Sequence, residues 1–326
     1  MNRTATVACL AGAGTAPELM AEATLALTAV ARLHGLLVED VHAPFGAVAV
    51  ARAGQAFPAP TRATVLAADA VLVAGADDPA LAEVMAELDL RARVTRVRFG
   101  DADDVALVAP LSEQTGEWAL EAAFQMAEAR ELRLAAVGDE TWHDLARQVG
   151  DQHEHVHVEH LSPKVAVPLA AFHASRFDVV AVSDRWAEPM IEIAAAPAAA
   201  RVAAHGLLAE HGPSLFMPSP DGGFGLAGEA GGSVGGAAVA RPESGGGVVN
   251  PSSMLLAAAL ALEYGLGEAG AAATLAGAVS AALVDGPRTP DLLARGLGAT
   301  TREFTSRVLS GFQLSLRNAE FWAGRP

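Results

Sequence analysis

Cysteine is almost missing from this chain of 326 residues: Cys9 stands alone. That excludes a disulfide framework and a cysteine-built zinc site. Lysine occurs once, as Lys164, and tyrosine once, as Tyr264. Aromatic residues are only 5% of the chain, so any core must be packed from Ala, Val and Leu. Positive charge is also scarce, with 22 Lys and Arg against 38 Asp and Glu, a formal charge of −16. No basic stripe with interleaved aromatics offsets it, which argues against nucleic acid or an anionic membrane as partner. The start, Met1-Asn2-Arg3-Thr4, lacks the pattern of a secretory signal. The Ala-rich stretch 254–284 is broken by Glu263, Tyr264, Glu268 and several glycines, which suits a buried helix pair better than a membrane span. A cytoplasmic protein is therefore expected.

What the chain does have is core material: apolar residues make up 52% of it. Short apolar runs at 6–10, 37–41, 70–74, 105–108, 134–137 and 179–182 read as buried parallel strands. Helical spacing falls between them, for example over 18–36 and 117–129. Strands alternating with helices predict an α/β layered fold. Residues 220–247 are glycine-rich, and beyond Asn250-Pro251 the pattern is almost wholly helical. His153, His155 and His157 alternate before His160. On a strand they would share one face, as a metal site or as the polar side of a half-buried strand, and the second reading is favoured.

Several stretches, in order, resemble the isopropylmalate and isocitrate dehydrogenase family. Gly12-Ala13-Gly14-Thr15-Ala16-Pro17-Glu18 is similar to that family's opening glycine turn, and Ala68-Asp69-Ala70-Val71-Leu72 to one of its strands. Residues 177–195 run without a gap along its metal-binding strand and helix. Gly247-Val248-Val249-Asn250-Pro251 resembles its cofactor loop, and Arg288-Thr289-Pro290 with Thr301-Arg302-Glu303 its closing motifs. The resemblance implies a two-domain α/β fold with interleaved domains and a mixed, mostly parallel sheet. The first domain would be 1–96 plus 248–326, and the second, dimer-forming one 97–247. It further implies oxidative decarboxylation of a 2-hydroxy acid with NAD or NADP and Mg or Mn, in a homodimer.

By that resemblance, Glu188 and Glu192 take the metal-ligand positions. Their i,i+4 spacing sets them on one helix face, with Pro189 expected in the first turn. The alternative is two acids on a solvated turn. Asp139 falls where the family has its catalytic lysine, and Lys164 where it has an aspartate, an exchange that could keep a local Lys–Asp pair. Alternatively, Lys164 is a plain surface residue. Asn250 and Gly247 mark the cofactor side.

Other family features are absent. The catalytic tyrosine and the clasping arm have no counterpart, because Gln114-Thr115-Gly116 passes directly into the next helix. The substrate-gripping arginines map to Met85, Thr95 and Ala109-Pro110. Arg91, Arg93, Arg96 and Arg98 lie nearby, and on a strand such alternating arginines are expected to face solvent. The nucleotide-holding segment is replaced by glycine-rich sequence around Gly231-Gly232-Ser233 and Glu243-Ser244. The expectation is a diverged, catalytically silent family member that binds a small organic acid or a protein partner in its interdomain cleft; the alternative is an active enzyme of altered mechanism, a decarboxylase, lyase or dehydrogenase, on a malate-like hydroxy or keto acid.

Overall fold

The computed structural model describes residues 3–75, 80–99, 103–195, 201–219, 247–293 and 298–323. Its strands are β1 (Arg3–Ala11), β2 (Leu36–Pro44), β3 (Ala70–Ala74), β4 (Leu90–Phe99), β5 (Asp103–Pro110), β6 (Arg133–Val137), β7 (His157–Leu161), β8 (Val179–Val182), β9 (Arg201–Ala209) and β10 (Ser214–Pro218). The helices are α1 (Ala16–Leu33), α2 (Gly46–Ala53), α3 (Ala59–Ala67), α4 (Leu81–Glu87), α5 (Gly116–Glu128), α6 (Glu140–Gly150), α7 (Pro163–His173), α8 (Asp184–Ala195), α9 (Ser252–Leu260), α10 (Ala269–Asp285) and α11 (Thr301–Ala323).

All ten strands form one sheet in the order β2-β1-β3-β10-β9-β4-β5-β8-β6-β7. The β10–β9, β9–β4 and β4–β5 pairings are antiparallel and the others parallel. The α/β layering is that expected from the alternating apolar runs, and the mixed, mostly parallel sheet is that implied by the resemblance. β3 and β8 are buried along their whole length, which is why they read as uninterrupted apolar segments. The Ala-rich stretch resolves into α9 and α10, which pack on each other and on the sheet. No helix among the described residues is long and apolar enough to cross a membrane.

The two faces of the sheet are covered differently. On one face a single continuous apolar cluster runs under α1, α9, α10, α11, α5 and α6. On the other, the apolar packing divides in two. One cluster, with Phe45, Val65, Val71, Val84, Leu207 and Leu215, lies under α3 and α4. The second, with Val97, Leu107, Val180, Met190 and Ile191, lies under α7 and α8. Between them, side chains on the central strands are not covered by an apolar layer.

Two sequence expectations are corrected here. The strand carrying the histidines begins only at His157; residues 151–156 form a turn. His153 is buried in that turn, stacked on Phe124 with ring centroids 4.9 Å apart. Its Nδ1 lies 2.8 Å from Glu128 and its Nε2 3.1 Å from Glu121. It is thus an ion-paired clamp on α5 rather than part of a polar strand face. Second, α8 starts at Asp184, with the Trp186 N–H bonded to the Ser183 carbonyl, so Pro189 lies inside the helix. It removes one backbone donor close to the amino end.

Candidate functional site

The gap between the two apolar clusters is a polar seam on β4 and β9. Adjacent positions on β9 show it: Ala203 belongs to one cluster and Leu207 to the other, and His205 stands between them. Antiparallel pairing sets His205 opposite Thr95, and Leu207 opposite Arg93. Alternation along β4 then puts Arg93 and Thr95 on this same face, while Arg91 lies at the irregularity between Leu90 and Ala92 and reaches Glu210 just beyond β9.

Each group in the seam is held by specific partners. Arg93 bonds Glu188 of α8 at 2.7 Å across the seam. Arg91 contacts both Asp89 and Glu210 at 2.9 Å. The Nε atoms of Arg91 and Arg93 are both buried and lack a hydrogen-bond partner. Thr95 Oγ1 lies 2.8 Å from His205 Nδ1. Burial, reinforced by the Arg93 cation, pushes the His205 imidazole down to about 3. His205 is therefore neutral at physiological pH.

Arg96 and Arg98 project to the opposite face, which corrects the expectation that these arginines face solvent. Arg96 is only 7% exposed. Its Nε bonds Asp104 at 2.7 Å, and its NH1 bonds Glu263 at 2.7 Å and Tyr264 at 3.2 Å. Arg98 reaches Asp104 at 3.0 Å and Ser280 at 2.9 Å. Arg130 joins Asp104 to Asp178, which it contacts at 2.5 Å. Burial alone would raise the Asp104 carboxyl, but the surrounding guanidiniums, Arg96 foremost, hold it at about 2. Tyr264, raised to about 12 mainly by burial, belongs to this structural cluster rather than to the seam.

The residues singled out from sequence are distributed unevenly. Glu188 and Glu192 are both on the exposed side of α8, while Met190 and Ile191 turn into the core. Glu188 borders the seam through Arg93. Asp139 is the N-cap of α6, accepting the Trp142 N–H at 3.1 Å. Lys164 is exposed in the first turn of α7, and no carboxylate among the described residues pairs with it. The two share the carboxyl end of adjacent strands β6 and β7, but the expected Lys–Asp ion pair is not made.

Gly247 adopts φ +61°, and its carbonyl accepts the Thr301 N–H at 2.8 Å. Asn250 is buried, its side-chain oxygen accepting the Ser252 N–H at 3.0 Å and opening α9. Both are engaged in joining this loop to helix starts. The glycine-rich positions 231–233 and 243–246 lie outside the described residues. Between β5 and α5 there is only the short connection 111–115 with one 3-10 turn, so no arm is inserted there.

These residues do not fit a divalent cation. Glu188 is already bonded to a guanidinium, and no third carboxylate or imidazole among the described residues converges with Glu188 and Glu192. Among the described residues, the one group of three potential ligands is Asp89, Glu210 and His211. There Arg91 already supplies the cation to both carboxylates. A hollow at the amino ends of β6, β7 and β8 is far along the sheet from the seam. Its arginines are paired, Arg133 with Glu131 and Arg176 with Glu159.

Comparison with known proteins matches this architecture. The family model described as isocitrate/isopropylmalate dehydrogenase matches residues 216–308. The chain is 26% identical to 3-isopropylmalate dehydrogenase of Lactococcus lactis, over 94% of this chain and 99% of that protein. It is 26% identical to the same enzyme of Thermosynechococcus vestitus, over 91% and 95%. The chain is thus similar to isocitrate/isopropylmalate dehydrogenases, by the family model over residues 216–308 and by these relatives over nearly its whole length. Among solved structures, a beta-decarboxylating dehydrogenase of Thermococcus kodakarensis in its apo form superposes with TM-score 0.75 at 20% identity, covering 98% of this chain and 99% of that one. Isocitrate dehydrogenase of Methylococcus capsulatus gives TM-score 0.71 at 16% identity, covering 95% and 99%. These likenesses agree with the mixed sheet.

The seam contains two residues that sequence reading passed over. His205 and Glu210 sit in or beside β9, far in sequence from β4. The available signal was a lone histidine inside the apolar run 202–208, where a buried polar side chain needs a partner.

Proposed function

We propose that this protein binds a small organic acid in the seam, and that it does not perform metal- and nicotinamide-dependent oxidative decarboxylation. The seam is taken as the cleft between a terminal domain, 1–96 plus 248–326, and a central domain, 97–247. The observation that carries the reading is the 2.7 Å bond from Arg93 to Glu188. A carboxylate in the metal-ligand position is occupied by a fixed cation, and that same cation is a ready partner for a ligand carboxylate. The use of Asp139 as a helix cap and the exposure of Lys164 support it, since neither is poised for proton transfer in the seam.

Thermal-shift and calorimetric titration test the reading. Malate-like acids are expected to stabilise the protein in the presence of EDTA, with no added effect of Mg, Mn, NAD or NADP. Metal-dependent reduction of NAD with 3-isopropylmalate would refute it.

The same reading includes a homodimer. α7 is apolar on almost every side, yet only Pro163, Ala166 and Ala170 are buried. Val165 is 49% and Phe172 80% exposed. Such a helix suits burial on both faces, and a second copy supplies the cover. The unpaired Lys164 at its amino end complements the exposed acids Asp184, Glu188 and Glu192 of α8. Phe172→Asp is expected to yield monomers by light scattering; an unchanged wild-type monomer would refute the dimer.

A further inference from the structure

The amino ends of β6, β7 and β8 enclose a hollow of about 290 Å3, at the end of the sheet remote from the seam. Parallel pairing sets Arg133 beside His157, so their side chains leave β6 and β7 on the same face. Ala135, two residues on, belongs to the apolar cluster under α7 and α8, which identifies that face. Arg176, from the 3-10 turn Ala174–Arg176, closes a third side, and its carbonyl lies 3.5 Å from Arg133 NH1. Ala135 and Phe177 give the hollow an apolar floor. Its polar groups are unequally satisfied. Both oxygens of Asp178 are engaged, Oδ1 by Arg130 Nε at 2.5 Å and Oδ2 by the Glu131 N–H at 3.0 Å. Glu159 accepts from Arg176 at 2.7 Å. The donors are not used up. Among the described residues, Arg133 Nε, Arg176 Nε and NH1, and both ring nitrogens of His157 have no protein partner.

We propose that this hollow binds the phosphate group of a small phosphomonoester, with Arg133, Arg176 and His157 donating to its oxygens and the ester body lying on Ala135 and Phe177. The three donors come from β6, β7 and the turn before β8, so they approach from different sides. A tetrahedral group with three terminal oxygens meets such donors, whereas a carboxylate presents two oxygens in one plane. Guanidinium forks suit phosphate oxygens in both charge and geometry. The volume is close to the lower bound of small-molecule pockets, about 300 Å3, which favours an ester over the bare ion. The carboxylates nearby do not bar an anion. Asp178 is neutralised by Arg130 in a buried contact. Glu131 and Glu159 are 67% and 48% exposed, and pairs so exposed yield readily because water screens them. The site shares no residue with the seam, so it stands or falls apart from the acid-binding reading.

The test titrates the full chain calorimetrically at low salt with phenyl phosphate, inorganic phosphate and benzoate. Phenyl phosphate is expected to bind most tightly, about tenfold better than benzoate, and to weaken as sodium chloride is added. Arg133→Gln and Arg176→Gln each remove a charge-assisted donor and should weaken phenyl phosphate about tenfold. His157→Ala should weaken it by a smaller factor. Glu159→Gln removes the resident partner of Arg176 and should tighten binding, by at most about fivefold. All four side chains are exposed, so the variants should keep the wild-type melting temperature without ligand. In 15N-histidine NMR of the wild type, the His157 ring signals should move with phenyl phosphate and stay in place with benzoate. Equal affinity for phenyl phosphate and inorganic phosphate would overturn the assignment to an ester. Absence of binding by either phosphate, benzoate binding as tight as phenyl phosphate, or undiminished affinity in both arginine variants would overturn the site.

Discussion

Replacing Glu188 by glutamine separates the two roles its carboxylate could have. As a metal ligand it would be needed for binding; as the resident partner of Arg93 it competes with any incoming acid. The bond is 2.7 Å, but Glu188 is 64% exposed and Arg93 20%. Ion pairs of this exposure are worth about 0.2–1 kcal/mol, because water screens them and both side chains lose freedom. Removing the competitor can therefore strengthen acid binding by at most about fivefold, with about 1.4-fold as the lower expectation. For the same reason the variant should lose no more than about 1 kcal/mol of stability. Calorimetric titration of Glu188→Gln with malate in EDTA, beside a urea unfolding curve, reads both quantities. A tenfold loss of affinity, or wild-type binding that requires Mg or Mn, would refute the reasoning.

Three further outcomes follow from groups outside the seam. Asp104→Asn leaves Arg96, Arg98 and Arg130 without their shared carboxylate in a buried cluster, and chemical denaturation should register a loss of about 3–5 kcal/mol. Because the Asp104 carboxyl is held at about 2 in the folded protein, its stabilising effect is present above the unfolded value near ~4 and disappears as pH falls through the folded one; the variant's acid unfolding profile should lack that step. His153 is opposed by desolvation but raised by its hydrogen bonds to Glu128 and Glu121, so its contribution is complete below about 6.5 and is lost as pH rises through the raised folded value. His153→Gln should flatten the melting temperature across that window, and an unchanged profile would exclude the clamp. Asp139→Ala should cost about 1 kcal/mol as a lost cap, and Lys164→Ala should be neutral or slightly stabilising at a helix amino end; neither should weaken malate binding, measured by titration.

The sequence made the sheet readable where burial is two-sided. β3 and β8 coincide with their apolar runs because every side chain on them is covered. The family frame was readable because its motifs follow one another along nearly the whole chain. Partnerships were harder to see. Arg96 looked like a solvent-facing strand residue, since Glu263 and Tyr264 lie more than 160 residues further along and only the fold brings them to it. His153 looked like one of an alternating set, yet the turn at 151–156 removes it from the strand and its acids come from α5. Asp139 illustrates a different limit. The resemblance sets it where the family has its catalytic lysine, but a carboxylate after a strand can be a helix cap or a catalytic group, and only the 3.1 Å contact to the Trp142 N–H distinguishes them. The pair Glu188 and Glu192 was found correctly on one helix face, while the guanidinium bound to Glu188 arrives from β4, 95 residues earlier.

The most direct test of the account is titration of the wild-type protein with malate in EDTA, repeated with Mg and NAD added. The account predicts stabilisation by the acid alone, of the same size in both conditions, and no reduction of NAD. Stabilisation that appears only with metal, accompanied by NAD reduction, would contradict it.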